Sequence, residues 1–119
     1  MVFPSPATAR SRAIRSRAPA MLAKMAATLD ALSGRRLILF YDCGWGESEV
    51  RAYGLEWPPE LDRIERMEEG IELIRAFWAA RTPLDFRGRF FETNGALCLP
   101  APLQAPRPPI WLGEARHDR

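Results

Sequence analysis

The stretch that decides the fold runs Arg36-Leu37-Ile38-Leu39-Phe40-Tyr41-Asp42-Cys43-Gly44-Trp45-Gly46. Leu37 to Tyr41 is an unbroken apolar run behind a basic start, and it stops at a loop carrying two glycines. A strand with one wet face alternates apolar and polar side chains. A continuous apolar run is what a strand covered on both faces requires, as in a parallel sheet. Parallel neighbours are joined by crossovers, usually helical, so helices are expected on either side of this run.

Both flanks supply them. Residues 19–33 carry Leu22, Met25, Leu29 and Leu32 at 3-4-3 spacing, which predicts an amphipathic helix burying those four side chains. Pro19 suits the first helical turn, where its missing N–H costs nothing, and Gly34 suits the left-handed position just past the end. Met21 and Met25 read as core filler. Beyond the loop, residues 47–54 predict a short helical turn, and Trp57-Pro58-Pro59 a rigid entry into a long helix over 60–80. Its stripe is Leu61, Ile64, Met67, Ile71, Ile74 and Trp78, with Phe77 beside it; Glu65, Arg66, Glu69, Glu72 and Arg75 are expected mostly toward solvent. Acids early in that helix agree with its dipole. Gly70 in its interior costs about 1 kcal/mol relative to Ala, so close packing against another element is expected there.

Residues 84–98 read as a small hairpin, with Phe86, Phe90 and Phe91 flanking Arg87-Gly88 and with Asn94-Gly95 as a turn signal. Residues 99–109 hold five of the eleven prolines, which makes them an extended connector and neither a helix nor a central strand. The connector leads into Ile110-Trp111-Leu112-Gly113, a second short strand. Strands alternating with amphipathic helices predict an α/β fold around a parallel sheet, here with about two core strands, two helices and a hairpin excursion. The expected organisation is a basic leader over 1–18, a domain over 19–114 and a tail over 115–119.

With 119 residues, 47% hydrophobic and 27% charged, the chain has the composition of one globular domain. A complete (β/α)₈ barrel, typically about 250 residues, is excluded. The net charge of +2 is unevenly spread. Residues 1–29 hold five basic residues and no acid, whereas the remaining ninety hold 12 basic and 15 acidic residues. The body presents no basic face, so nucleic acid is not expected as a partner. The longest apolar run falls far short of the roughly 20 residues a bilayer demands, and Arg10, Arg12, Arg15 and Arg17 interrupt any signal-peptide core. Cys43 and Cys98 lie in no C-x-x-C pair, which speaks against zinc and against a disulfide framework and for a reducing cytoplasm. The Arg- and Ser-rich, acid-free leader over 1–18 admits three readings: a disordered or mis-started segment, a targeting segment, or an arm that binds a polyanion.

The loop over 42–46 follows the carboxyl end of the first strand, where ligands bind in open α/β sheets and in barrels. Glycines there let the backbone approach a flat ring or a phosphate closely. The same loop also reads as a tight turn with Trp45 packed on a neighbouring helix. Cys43 lacks a histidine partner, since the only histidine is His117 near the terminus, so Cys43 and Cys98 read as small buried thiols. Asp42 and Glu47 read either as a carboxylate pair or, for Asp42, as a loop cap. One histidine supports neither a Ser-His-Asp triad nor a histidine-rich metal site, and no catalytic acid or base is nominated.

Several ordered blocks carry a family resemblance: LAKMAATLDALSGRRLIL over 22–39, GWGESEVRAYGLEWPP over 44–59, RIERMEEGIELIRAFW over 63–78, FRGRFF over 86–91 and LCLPAPLQAPRPPIWLG over 97–113. Together, from Arg17 to Glu114, they resemble the bacterial-luciferase-like monooxygenase family, and most of all its deazaflavin-dependent branch. The resemblance implies a (β/α)₈ barrel binding FMN or the deazaflavin coenzyme F420 at the carboxyl ends of its strands. It makes this chain a partial slice of that barrel. Leu37–Tyr41 would be the fourth strand, Ile110–Leu112 the fifth, 19–33 the helix after strand three, and 84–98 the excursion between helix four and strand five. It further implies cofactor-lining positions at Cys43, Gly44, Trp45 and Gly113. Phe40 and Tyr41 stand where the family has glycine and a small apolar residue, so two bulky rings are expected to crowd the cofactor. Ala18 replaces a family histidine, and Glu114 stands where a second glycine is common. The implied activity is hydride transfer or O₂ activation on a small organic substrate, with the chemistry carried by the reduced flavin or deazaflavin. The alternative is a truncated, non-catalytic remnant, or a subunit whose exposed edges need a second copy or a complementing chain.

Overall fold

The structure is a computed structural model, and it describes residues 19–41 and 46–112. The leader over 1–18 and the tail over 115–119 lie outside the described residues. In chain order the elements are α1 (Pro19–Ser33), β1 (Leu39–Tyr41), α2 (Glu47–Ala52), α3 (Glu60–Ala79), β2 (Leu84–Arg87), β3 (Glu92–Ala96) and β4 (Ile110–Leu112). β1 and β4 pair in parallel, with Leu39 opposite Ile110, Phe40 opposite Trp111 and Tyr41 opposite Leu112. β2 and β3 form a separate antiparallel hairpin. The fold is α/β, with a two-strand parallel core backed by α1 and α3.

The core joins Leu22, Ala23, Ala26 and Ala27 of α1, Leu37, Leu39 and Tyr41 around β1, Ile74, Phe77 and Trp78 of α3, and Cys98. α1 meets this cluster through Leu22 and three alanines, with Leu29 packed beside them, so only two of the four large residues that its spacing suggested take part. Leu22 is buried and Leu29 half-buried, but Met25 is 41% exposed and Leu32 78%, and Met21 also faces outward. The cause is the short alanine side chain, which lets α1 and α3 approach closely enough for the Trp78 indole N–H to donate to the Ala23 carbonyl at 2.9 Å. The α3 stripe is right from Met67 onward and wrong at its start, since Leu61 is 69% exposed.

Gly70 is buried in the middle of α3, and a Cβ there would overlap the Tyr41 hydroxyl, so the close packing predicted from sequence is a contact with β1. Past α1, Gly34 and Arg35 both take positive φ, and the Arg35 N–H donates to the Asp30 carbonyl at 2.9 Å. Gly34 makes the left-handed turn cheap, as expected of a residue after a helix.

The hairpin turns elsewhere than Asn94-Gly95 suggested. Its tip is Gly88 to Phe91, closed by the Gly88 N–H on the Phe91 carbonyl at 2.9 Å. Asn94 and Gly95 lie within β3, where the register shifts between Leu84 and Phe86 and two residues face one. Gly95 takes φ 69° and donates its N–H to Asp85 Oδ1 at 2.7 Å. The dipeptide therefore serves a β-bulge, which has the same need for a left-handed glycine as a tight turn.

Candidate functional site

The carboxyl ends of β1 and β4 lie side by side, because Tyr41 and Leu112 are register partners. Chain segments 42–45 and 113 onward leave from these two adjacent ends. Cys43, Gly44, Trp45 and Gly113, as well as Asp42, lie outside the described residues. Their described neighbour Gly46 takes φ 80° and caps α2, accepting the Val50 N–H at 3.1 Å. Val50 is the buried anchor of that short helix. Glu47 is exposed and paired with Arg51 at 2.8 Å.

The pleat of β1 sorts its side chains. Leu39 and Tyr41 point into the helix-backed core, with the Tyr41 ring lying over Gly70. Phe40 is half-buried and takes the opposite face, beside Trp111, which is 55% exposed. For Tyr41 the expected crowding is corrected, since the missing side chain of Gly70 houses its ring on the helix side, whereas Phe40 projects to the other face. That face carries the two aromatic rings of Phe40 and Trp111.

At the amino end of the strands lies a polar centre that the sequence reading missed. Asp30, fully buried on α1, accepts the N–H groups of Leu103 at 2.8 Å and Gln104 at 3.0 Å and the Gln104 side-chain amide at 2.7 Å. The same amide donates to the Leu37 carbonyl at 2.8 Å. Burial pushes the Asp30 carboxyl up, but the hydrogen bonds from Gln104, Leu103 and the Leu37 backbone outweigh it and hold the group below its ordinary 3.8. The available signal was spacing, since Asp30 continues the buried line of Ala23, Ala26 and Ala27. A second omission is Glu69. It is not one of the solvated carboxylates of α3; it accepts the N–H groups of Arg89, Phe90 and Phe91, each at 2.8 Å. Gly88 makes room for it, since a Cβ there would overlap the carboxylate.

Cys98 is buried, with its sulfur 3.8 Å from the Pro100 carbonyl oxygen. Burial pushes its thiol up, with Lys24 opposing, so it sits in the core as an unreactive small side chain. Among the described residues no group of three or more His, Cys, Asp or Glu is placed to hold a metal ion. No helix among them is long and apolar enough to cross a membrane.

A parallel strand pair backed by helices, with the carboxyl ends of its strands adjacent, is the arrangement found in a segment of a β/α barrel. The chain belongs to the luciferase-like monooxygenase family, whose model matches residues 11–117. Among curated relatives, it is 36% identical over 95 residues to an FMNH₂-dependent dimethylsulfone monooxygenase of Pseudomonas putida, covering 80% of this chain and 26% of the relative. It is 35% identical over 86 residues to an F420-dependent glucose-6-phosphate dehydrogenase of Amycolatopsis mediterranei (strain U-32), covering 72% of this chain and 26% of that protein. In solved structures it superposes on an F420-dependent secondary alcohol dehydrogenase in complex with an F420-acetone adduct. There the TM-score is 0.70 and the identity 26%, over 79% of this chain and 28% of the other. The monooxygenase RslO1 from Streptomyces bottropensis gives a TM-score of 0.69 and 27% identity over 83% and 29% of the two chains. The chain thus spans about a quarter of the length of the curated relatives it matches.

Proposed function

We propose that this chain forms part of the cofactor mouth of an oxidoreductase of the monooxygenase type, binding reduced FMN or F420 and acting on a small organic substrate. The observation that carries this reading is the register of β1 and β4, which sets Tyr41 beside Leu112 and so starts the two segments holding Cys43, Gly44, Trp45 and Gly113 from one place. These four are the cofactor-lining positions, and the glycines among them let the backbone approach a ring closely. The bound cofactor supplies hydride transfer or O₂ activation. The protein's share is an apolar platform, Phe40 beside Trp111, that excludes water from one side of the ring. We further infer that 19–114 acts as one unit and that the protein works in the cytoplasm, where its two cysteines stay reduced.

The second reading is a non-catalytic remnant or a subunit completed by a second copy or a complementing chain. It is favoured by Trp111 and Leu112, both more than half exposed at one edge of the sheet. Titrating the purified chain with FMN and, separately, with F420 tests the first reading by fluorescence and calorimetry. Saturable one-to-one binding that Gly44→Val or Gly113→Val abolishes is the expected result. A folded chain that binds neither cofactor would overturn it in favour of the second.

A further inference from the structure

β1 and β4 are apolar on both faces: Leu39, Phe40 and Tyr41 in one, Ile110, Trp111 and Leu112 in the other. Alternation of apolar and polar residues normally selects a register, because a slip of one residue sends every side chain to the wrong face. Here a slip would exchange apolar for apolar, and a ladder of three residue pairs adds little discrimination. The register must be set from outside the strands.

The polar centre at their amino end is placed to do so. The Gln104 amide joins the Asp30 carboxylate to the Leu37 carbonyl, two residues ahead of β1, while both oxygens of Asp30 hold the connector through Leu103 and Gln104. From Gln104 the chain runs Ala105-Pro106-Arg107-Pro108-Pro109 into β4. The chain bends over 103–106, and three prolines with fixed φ leave it little freedom from there on, so holding Gln104 holds Ile110. Pro108 is buried, and the Pro109 carbonyl accepts the Leu39 N–H at 2.9 Å as the first rung of the ladder.

We propose that Asp30 and Gln104 are positioning residues that pin β4 at one height against β1, and thereby decide that Phe40 and Trp111 share the cofactor face. The pinning itself is independent of the proposed function; its consequence for the cofactor rests on it.

The test reads register directly, without cofactor, in the full isotopically labelled chain. Backbone cross-strand NOEs between Leu39 and Ile110, Phe40 and Trp111, and Tyr41 and Leu112 are compared in wild type, Gln104→Met and Asp30→Asn. The wild type is expected to show all three. In Gln104→Met they are expected to vanish or to be replaced by contacts shifted by one residue, while the core contact between Trp78 and Ala23 persists. Retention of the native NOEs with only a lower Tm would overturn the proposal, making Gln104 ordinary glue. Should Gln104→Met fail to fold, Asp30→Asn, which keeps the shape and the bond from Gln104 to Leu37, is read the same way: partial loss is expected, and full retention overturns. With FMN or, separately, F420 added, affinity should fall about tenfold wherever the register is lost, the scale of one lost ring-stacking contact. Unchanged affinity with a lost register would overturn the cofactor consequence. A wild type that shows the native NOEs but binds neither FMN nor F420 would count against the proposed function and leave the pin standing.

Discussion

Gly70 and Tyr41 form a lock between a missing side chain and a ring. Adding one methyl at position 70 forces the ring or the helix to move, because the new Cβ would overlap the Tyr41 hydroxyl. Overpacking of this kind costs about 1–3 kcal/mol, so Gly70→Ala is expected to lower the chemical-denaturation midpoint despite its better helix propensity. In a Tyr41→Phe background the same substitution should cost less, and a double-mutant cycle reads the difference. Equal costs in both backgrounds would mean that the two residues do not meet. Asp30 makes stability depend on pH. Its folded carboxyl lies below its ordinary 3.8, so below that value the unfolded chain binds more protons than the folded one. The stabilisation is fully present above the ordinary value and is lost as pH falls from there through the lower, folded one. Wild type should therefore lose stability on acidification below about pH 4, and Asp30→Asn should be less stable at neutral pH and flatter through that window. A parallel pair of stability curves would rule this out. Neither residue's full role was open to reading in the sequence: Gly70 announced itself as an oddity in a helix, but Asp30 is ordinary until the alanine face of α1 is known to be the buried one.

At the scale of elements, order and kind were legible and faces less so. Continuous apolarity marked β1, proline density marked the connector, and the 3.6-residue period marked both long helices. What failed was the weighing of alanine. A pattern built on large apolar residues gave α1 Met25 and Leu32 as core, whereas close helix approach selected Ala23, Ala26 and Ala27. The hairpin failed for a related reason: a left-handed glycine suits both a turn and a bulge, and only the pairing partner of Asp85 tells them apart. What holds the hairpin tip to α3 is Glu69, with Arg89 reinforcing through Glu65 at 2.6 Å. Removing the carboxylate in Glu69→Ala leaves three N–H groups to half-exposed surroundings and should cost on the order of 1 kcal/mol. The loss should be local. Amide exchange at Arg89, Phe90 and Phe91 is expected to accelerate well before exchange in the core of α3. Uniform acceleration across the chain would mean that the hairpin and the core open together.

At the scale of the whole molecule, the family and its barrel frame were legible from ordered blocks, above all the proline-rich approach to Ile110-Trp111-Leu112. The proposed cofactor positions, Cys43, Gly44, Trp45 and Gly113, rest on the resemblance alone, because glycine and tryptophan in a loop carry no chemistry of their own. The folded whole has a further consequence. Among the described residues the parallel sheet has two strands and so two edges, and both strands are apolar on both faces. α1 and α3 cover one face; the other carries Trp111, and Leu112 stands 56% exposed at the end of the same strand. Exposed apolar edges of this kind recruit another surface, and association that stabilises the folded state raises its melting temperature with protein concentration. The purified chain should therefore show a Tm that climbs as concentration rises, and sedimentation should show species larger than one chain. Trp111→Lys and Leu112→Lys should suppress both effects while leaving the dilute-limit Tm nearly unchanged, because neither side chain is buried in the single chain. A Tm independent of concentration would show that the slice is self-sufficient, with α1, α3 and the pinned connector together closing a core that needs no partner.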